Sequence, residues 1–250
     1  MTLLNLDFIK DFFTHNQSKE SDTNENEYIE LKKVPYRWTH GATDLTLGDG
    51  LLIYSIIHYM RAKVCVCLGS GGGFIPRIMT QVKMDLYKEG FHQDKSDWEG
   101  FGNTILVDAV NGVNGEPDWT KKDSFLRSNF RIEFLKNTTE EAYYEYFVKR
   151  DIKIDFLYID ADHTFEGVKL DFDLYSKIMN KGGIITIHDT DKDYAENFIE
   201  VEGHEDYDLS GPSQFIKTID KRKFEVINFF NYKEKSEHPT SSGLTIVRKK

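Results

Sequence analysis

The stretch KVCVCLGSGGG, residues 63–73, decides the fold, because an apolar strand runs directly into a cluster of glycines. Apolar residues then recur at helical spacing, at Phe74, Ile75, Ile78, Met79 and Val82. A strand, a glycine turn and the start of a helix are typical of a cofactor cradle, since glycine permits a sharp turn and a close approach of the backbone to a ligand. The alternative is a tight turn that binds nothing.

The order of the glycines distinguishes two classes of cofactor. Dinucleotide-binding domains use G-x-G-x-x-G, whereas this loop follows G-x-G-x-G, and Phe74 stands at the position of the third dinucleotide glycine. The G-x-G-x-G form is that of methyltransferases, so we expect S-adenosyl-L-methionine as the cofactor. The loop residues predicted to bind it are Gly69, Ser70, Gly71 and Gly73.

Strands and helices alternate along the rest of the chain. Strands are predicted at 63–68, 103–107, 130–135, 154–159, 184–187, near 224–230 and at 244–247. Helices are predicted at 47–60, from 74, after the capping box at 138–141, at 165–179 with Gly182-Gly183 ending it, and near 212–221. This alternation predicts an α/β fold, with a Rossmann-like, doubly wound, mostly parallel seven-stranded sheet and helices on both faces.

Polar residues follow the predicted strands directly, and in such sheets ligands bind outside the carboxyl ends of the strands. The glycine loop, Asp108, Asp160 and the pair His188-Asp189 are therefore expected to converge on one rim. Asp108 is placed to accept hydrogen bonds from ribose hydroxyls. It lies 35 positions after Gly73, and the polar stretch 84–102 explains this distance as an insertion. A solvated carboxylate at a strand end is the alternative.

Two segments carry a more specific resemblance: DADHTFEG at 160–167, and Gly182-Gly183 followed by HDT at 188–190. Over about residues 45–190 the chain resembles class I methyltransferases related to macrolide-sugar O-methyltransferases and cephalosporin-hydroxylase-like proteins. The resemblance implies a doubly wound sheet with an antiparallel last strand. It also implies S-adenosylmethionine-dependent O-methylation of a small molecule, often with a divalent metal.

The resemblance also implies roles for individual residues. Asp160 and Asp189 correspond to metal ligands, and His163 corresponds to the general base. His188 joins the metal set at a position where the macrolide-sugar enzymes usually carry a carboxylate. Asp160 is counted with the catalytic and cofactor-binding residues as well. Mg²⁺ is the first expectation and Mn²⁺ the second, although an imidazole ligand admits softer ions. The chain departs from the family at Cys67, where many members have an acidic residue.

These residue types suit hydroxyl chemistry. A divalent cation bound to a hydroxyl oxygen lowers its pKa, and an imidazole with a pKa of about 6.5 can take the proton near neutral pH. The same residues also have plainer interpretations. Asp162 is as well suited to cap the next helix as to bind a metal, and Glu166 is suited to face solvent or the helix N-terminus. Metal-free methyltransferases also place carboxylates at these strand ends.

Two other classes of function stay open. A nicotinamide-dependent oxidoreductase is disfavoured by Phe74 and by the lack of a Tyr-x-x-x-Lys pair after the fourth predicted strand. A non-catalytic cofactor-binding module is the other alternative. The acceptor is expected to be a hydroxylated small molecule, because a net charge of −10 without a basic stripe argues against nucleic acid. A homo-oligomer is left open.

Composition also bears on compartment. Cys65 and Cys67 are the only cysteines, and they are too close to pair with each other. We interpret both as small buried residues. With no disulfide framework, no signal-peptide pattern and no apolar run of about 18 residues, we expect a cytoplasmic protein without a membrane span.

The chain is predicted to divide into an N-terminal cap at 1–44 and a methyltransferase domain at 45–250. The cap comprises an amphipathic helix at 2–14 and a polar linker at 16–27. Residues 38–43, WTHGAT, are placed to touch substrate, or else serve packing. The acidic stretch 189–210 is either a lid or a solvated loop.

Overall fold

A computed structural model describes residue 40 and residues 47–69, 73–91, 104–109, 131–192, 210–230 and 242–250. Several predictions fall outside these ranges: the domain boundary at 44, the helix at 2–14, the linker at 16–27 and most of the acidic stretch 189–210. Ser70 and Gly71 of the glycine loop lie outside them as well.

Seven strands form a single mixed sheet. They are β1 (Cys65–Leu68), β2 (Thr104–Val107), β3 (Ile132–Leu135), β4 (Ile154–Ile159), β5 (Met179–His188), β6 (Phe224–Phe229) and β7 (Leu244–Lys249). Their order across the sheet is β3-β2-β1-β4-β5-β7-β6. The first five run parallel, whereas β7 is antiparallel to both β5 and β6. The predicted Rossmann-like sheet with an antiparallel last strand is confirmed, and strand order reverses between β1 and β4.

Five α-helices lie within the described residues: α1 (Asp49–Met60), α2 (Phe74–Lys88), α3 (Thr139–Ala142), α4 (Phe165–Tyr175) and α5 (Gly211–Phe215). The predicted capping box starts α3: the Thr138 hydroxyl accepts from the Glu141 backbone, and the Glu141 carboxylate accepts from the Thr138 backbone. A π-helical turn, Tyr143–Val148, continues α3. None of the helices in the described ranges is long and apolar enough to cross a membrane.

The core has two layers, because successive strand residues face opposite sides of the sheet. Cys65 and Cys67 of β1 pack with α1 and α2 on one side, and both cysteines are buried free thiols. Val66 and Leu68 pack with α3, α4 and α5 on the other. Helices therefore cover both faces, as the alternating pattern predicted.

Two helix boundaries were predicted wrongly. α4 ends at Tyr175 and passes through a 3₁₀ turn into β5, which begins at Met179. Met179 pairs with Ile154, and the register then shifts before Ile184 pairs with Phe156. The segment containing Gly182-Gly183 is thus an irregularity within the strand and not a helix stop. The helix expected near 212–221 also ends early, since α5 stops at Phe215 and a 3₁₀ turn runs only to Thr218.

Candidate functional site

The carboxyl ends of β1, β2 and β4 meet at one rim, where hydrogen bonds join them directly. The Gly69 amide donates to the Val107 carbonyl at 2.9 Å, and the Asp160 amide donates to the Leu68 carbonyl at 2.9 Å. Asp108 follows β2 and is buried. The structure therefore brings Gly69, Asp108 and Asp160 together, as the order of the elements predicted.

The turn after β1 requires glycine at its first position. Gly69 has φ +80°, and a Cβ there would overlap the carbonyl oxygen of Asp160. Gly73 has φ +81° and stands immediately before α2. The start of the loop thus lies directly against the Asp160 backbone.

His163 links two acidic residues at the centre of the rim. Its Nε2 lies 2.8 Å from Asp189 Oδ2 and 3.3 Å from Asp160 Oδ1, and its side chain is 25% exposed. Burial opposes the charged imidazole, but hydrogen bonds to Asp160 and Asp189 raise the pKa of His163 to about 10. With only these two carboxylates beside it, the ring is protonated at neutral pH. Positive charge beside them would lower that pKa towards the range of a base.

His188 lies deeper and touches the same two carboxylates. Its Nδ1 is 3.1 Å from Asp160 Oδ1 and 3.1 Å from Asp189 Oδ1, and its side chain is only 8% exposed. Despite burial, Asp189 and Asp160 hold the pKa of His188 well above its ordinary value. Burial raises the pKa of Asp160, but His188 and His163 outweigh it and bring that pKa to about 2. The cluster is thus a compact network of opposite charges.

Asp189 adopts an unusual backbone conformation at the end of β5. Its φ is +54°, in the left-handed region that non-glycine residues rarely enter. Such conformations cost of order 1–3 kcal/mol and persist where the surroundings enforce them, often at functional sites. Here the turn places the Asp189 carboxylate within reach of both His163 and His188.

The other nitrogen of His188 faces groups that the motifs did not single out. Its Nε2 lies 3.0 Å from His40 Nδ1, 2.9 Å from Ser242 Oγ and 3.8 Å from Asp49 Oδ2. Asp49 opens α1 and Ser242 lies two residues before β7. Neither position carried a motif, and Ser242 lies 54 positions from His188 in the chain.

His40 belongs to the 38–43 segment that the sequence marked as a candidate for substrate contact. Its Nδ1 also lies 3.0 Å from the Tyr158 hydroxyl, and its ring stacks on Phe74 with centroids 5.5 Å apart. Burial and neighbouring His188 lower the pKa of His40 to about 3, so this ring is neutral. Its backbone carbonyl accepts from the Asp49 amide at 2.8 Å, which ties His40 to the start of α1.

Comparison with known proteins fits this geometry. Residues 68–190, which span the glycine loop through Asp189, match the model of a family described as a methyltransferase domain. Residues 68–190 therefore form a methyltransferase domain. A search of curated proteins gives no match for this sequence.

Solved structures of methyltransferases share the fold across the whole chain. One is an O-methyltransferase from Bacillus cereus in complex with SAH, with a TM-score of 0.58 and 13% identity over 98% of this chain and 100% of that one. Another is the O-methyltransferase TomG from Streptomyces achromogenes, involved in tomaymycin synthesis, in complex with SAM. It has a TM-score of 0.57 and 12% identity over 99% of both chains.

Residues on either side of His163 in this methyltransferase domain form and support the start of α4. Thr164 is the N-cap of α4, since its hydroxyl accepts from the Gly167 amide at 3.0 Å. The capping interpretation of Asp162 is therefore wrong: its carboxylate instead accepts from the Thr164 amide at 2.9 Å and supports the cap. Glu166 is exposed in the first turn of α4, as expected for a residue that complements the helix N-terminus.

Cys67 stands at the position where the resemblance leads us to expect an acidic residue. Its thiol is buried and donates to the Gly69 carbonyl at 3.0 Å. Burial, with Asp160 and Asp108 nearby, raises the pKa of the Cys67 thiol well above its ordinary value. It therefore stays protonated and adds no negative charge to the rim.

The donor set of the rim fits a divalent cation. Two overlapping groups offer ligand atoms that all lie within 4.8 Å of one another: His40, Asp160 and His188, and Asp160, His163 and Asp189. The predicted metal set, Asp160, His188 and Asp189, shares two residues with each group. Mixed carboxylate and imidazole donors suit several divalent ions. Which residues bind a metal stays a prediction.

Proposed function

We propose that this methyltransferase transfers the methyl group of S-adenosyl-L-methionine to a hydroxyl oxygen of a small molecule, either a sugar or another hydroxylated metabolite. The observation that carries the proposal is the contact of His163 with both Asp160 and Asp189 on the rim beside the glycine loop. Fold relatives named as O-methyltransferases, in complex with SAH or SAM, support the choice of donor.

The cofactor half of the rim would be formed by the glycine loop and Asp108. Gly69 and Gly73 adopt positive φ and let the backbone approach the donor closely, and Ser70 and Gly71 are expected to complete the loop. Asp108 would accept hydrogen bonds from the ribose hydroxyls. Asp160 adjoins Gly69 through its backbone, so its carboxylate would lie between the donor and the acceptor halves.

The acceptor half would centre on His163. It is the most exposed member of the charged cluster, so an acceptor hydroxyl can approach it from solvent. His163 would accept the hydroxyl proton at Nδ1, while Asp189 and Asp160, which contact Nε2, orient the ring and stabilise the imidazolium that results. Holding the donor methyl and the acceptor oxygen at near-attack distance would supply much of the remaining acceleration.

A divalent cation would be held by Asp160, Asp189 and His188, with Mg²⁺ or Mn²⁺ as the ions expected from the sequence. When bound, such a cation supplies Lewis-acid stabilisation to an alkoxide-like oxygen. The protein residues then have separate tasks. Asp160 and Asp189 would provide negative charge, and His163 would accept the hydroxyl proton.

Calorimetric titration tests the class of donor. The purified protein is expected to bind S-adenosylmethionine and its demethylated product, and not NAD. Asp108→Ala should weaken binding of the demethylated product by about 10–150-fold, because a hydrogen bond to a charged group contributes about 1.5–3 kcal/mol. Binding of NAD alone would overturn the proposal in favour of an oxidoreductase.

A screen with tritium-labelled methyl donor tests the class of acceptor. Sugars and other hydroxylated small molecules should gain label, and nucleic acids should not. Label transferred only to RNA or DNA would contradict the small-molecule assignment. Detectable donor binding with no transfer across a broad hydroxylated panel would favour a non-catalytic module.

A further inference from the structure

Two groups of donor residues on the rim make different use of His163. Both donor groups on the rim contain Asp160, but one adds His163 and Asp189, whereas the other adds His40 and His188. If the first group held the cation, His163 would be a ligand and its nitrogen would not be free to accept a proton. Of these two groups, only the second leaves His163 available as a base.

We propose that His40 replaces Asp189 in the ligand set expected from the sequence, so that the cation binds to His40, Asp160 and His188, and that it is a transition-metal ion such as Mn²⁺ or Zn²⁺ in preference to Mg²⁺. The inference rests on the proposed function for what the cation does. Its ligand set stands on the geometry alone and can be tested by binding without turnover.

The spacing of the two imidazole nitrogens supports this ligand set. His40 Nδ1 and His188 Nε2 lie 3.0 Å apart. Two ring nitrogens that each bind one metal at about 2.1 Å are separated by about 3.0 Å at the right angle of an octahedral site and by about 3.4 Å at the tetrahedral angle. The two side chains therefore lie near the separation that a shared cation would give, although 148 positions separate them in the chain.

More polar atoms surround these nitrogens than single hydrogen bonds can use. An imidazole nitrogen has one donor or acceptor position, in the plane of the ring. His188 Nε2 nevertheless lies within 3.0 Å of both His40 Nδ1 and Ser242 Oγ, and His40 Nδ1 lies 3.0 Å from the Tyr158 hydroxyl as well. A cation that takes both nitrogen lone pairs would resolve this competition.

The charge around the group also favours a cation. Asp160 and Asp189 each have an oxygen 3.1 Å from His188 Nδ1, and Asp49 has one 3.8 Å from Nε2. Three largely buried carboxylates thus surround one imidazole ring. A divalent cation held among these residues would balance this negative charge directly.

The ligand chemistry determines which ion is preferred. Mg²⁺ prefers oxygen ligands and retains several waters, whereas imidazole suits Zn²⁺ and other transition metals. The His40 ring stacks on Phe74 and makes an edge contact with Tyr158, so His40 would reach the cation from a packed and partly apolar side of the site. A site with two imidazoles and one carboxylate on such a wall is expected to discriminate against Mg²⁺.

Calorimetry on the metal-stripped full chain tests the ligand set. Wild-type protein should bind Mn²⁺ and Zn²⁺ at least about tenfold more tightly than Mg²⁺. His40→Ala should weaken Mn²⁺ binding by about 10–100-fold or more, whereas His163→Ala should change it by less than about threefold. His58→Ala is the matched control and should leave Mn²⁺ binding unchanged. His58 lies on α1, outside the rim, and pairs with Glu89. Loss of Mn²⁺ binding in His163→Ala but not in His40→Ala would overturn the proposal.

Pulsed electron paramagnetic resonance of the Mn²⁺-loaded wild type gives an answer that does not depend on any variant folding. Two imidazole nitrogens should couple to the ion, and one of them should disappear in a folded His40→Ala protein. Coupling to one or no nitrogen in the wild type would refute the ligand set. A titration with S-adenosylhomocysteine, run in parallel, separates the two claims: failure of that titration refutes the proposed function, whereas the nitrogen count refutes only this inference.

Discussion

Replacing Asp171 by asparagine should make the protein more stable above neutral pH. Asp171 lies in α4 and is 1% exposed. Its Oδ2 has no hydrogen-bond partner among the described residues, although the Thr139 side chain bonds to the carboxyl group. Burial, with Asp162 nearby, raises the pKa of Asp171 from 3.8 to about 7. The folded protein therefore holds this carboxyl in its neutral form more strongly than the unfolded chain does.

The magnitude and its sign follow from linkage. Each unit of pKa difference corresponds to about 1.4 kcal/mol, so a rise of about 3 units costs roughly 4 kcal/mol once the group is ionised. Below pH 4 the carboxyl is neutral in both states and the cost is absent. It grows between about pH 4 and pH 7, because the unfolded chain ionises first, and is complete above pH 7.

Urea denaturation of the wild type and Asp171→Asn at pH 5 and pH 8 checks this reasoning. Asparagine cannot ionise, so the variant's advantage in free energy of unfolding should grow by about 2–3 kcal/mol between the two pH values. Asp173→Asn is the control, since Asp173 lies on the same helix, is exposed and pairs with Lys169. It should change stability by less than about 0.5 kcal/mol. Equal pH dependence in wild type and Asp171→Asn would refute the argument.

Two further substitutions separate site effects from helix stability. Gly69→Ala places a side chain on a residue with positive φ and against the Asp160 carbonyl. It should lower the unfolding free energy by about 1–3 kcal/mol and weaken S-adenosylhomocysteine binding by more than about tenfold in calorimetry. Unchanged binding would show that the loop is not part of the cofactor site. Thr138→Ala removes the capping box of α3 and should cost about 1 kcal/mol in denaturation without altering that binding; a loss above about 3 kcal/mol would show that the cap is not the main contribution of Thr138.

The rim could be predicted from the sequence because strand ends are visible in it. β4 was predicted at its observed bounds, Ile154–Ile159, and Asp160 follows it directly. In a parallel sheet the carboxyl ends of such strands meet at one edge, so local signals were enough to bring Gly69, Asp108 and Asp160 together. His188 and Asp189 follow from the same rule applied to β5.

Long-range and irregular features could not be predicted in this way. His40 meets His188 across 148 positions, and nothing in the pattern around His40 gives its direction or distance. Ser242 lies in no motif at all. Met179 satisfies the helical apolar period and is buried as a strand residue instead, since burial at a helix end and burial in a bulged strand give the same local signal.

The rate of methyl transfer in a single turnover tests the account most directly. Wild type and His163→Ala, each saturated with S-adenosylmethionine, would be mixed with an acceptor found in the tritium screen. The account predicts equal affinity for S-adenosylhomocysteine and a rate lower by about 10²–10⁴ in the variant, the usual contribution of a general base. Equal rates in the two proteins would contradict it.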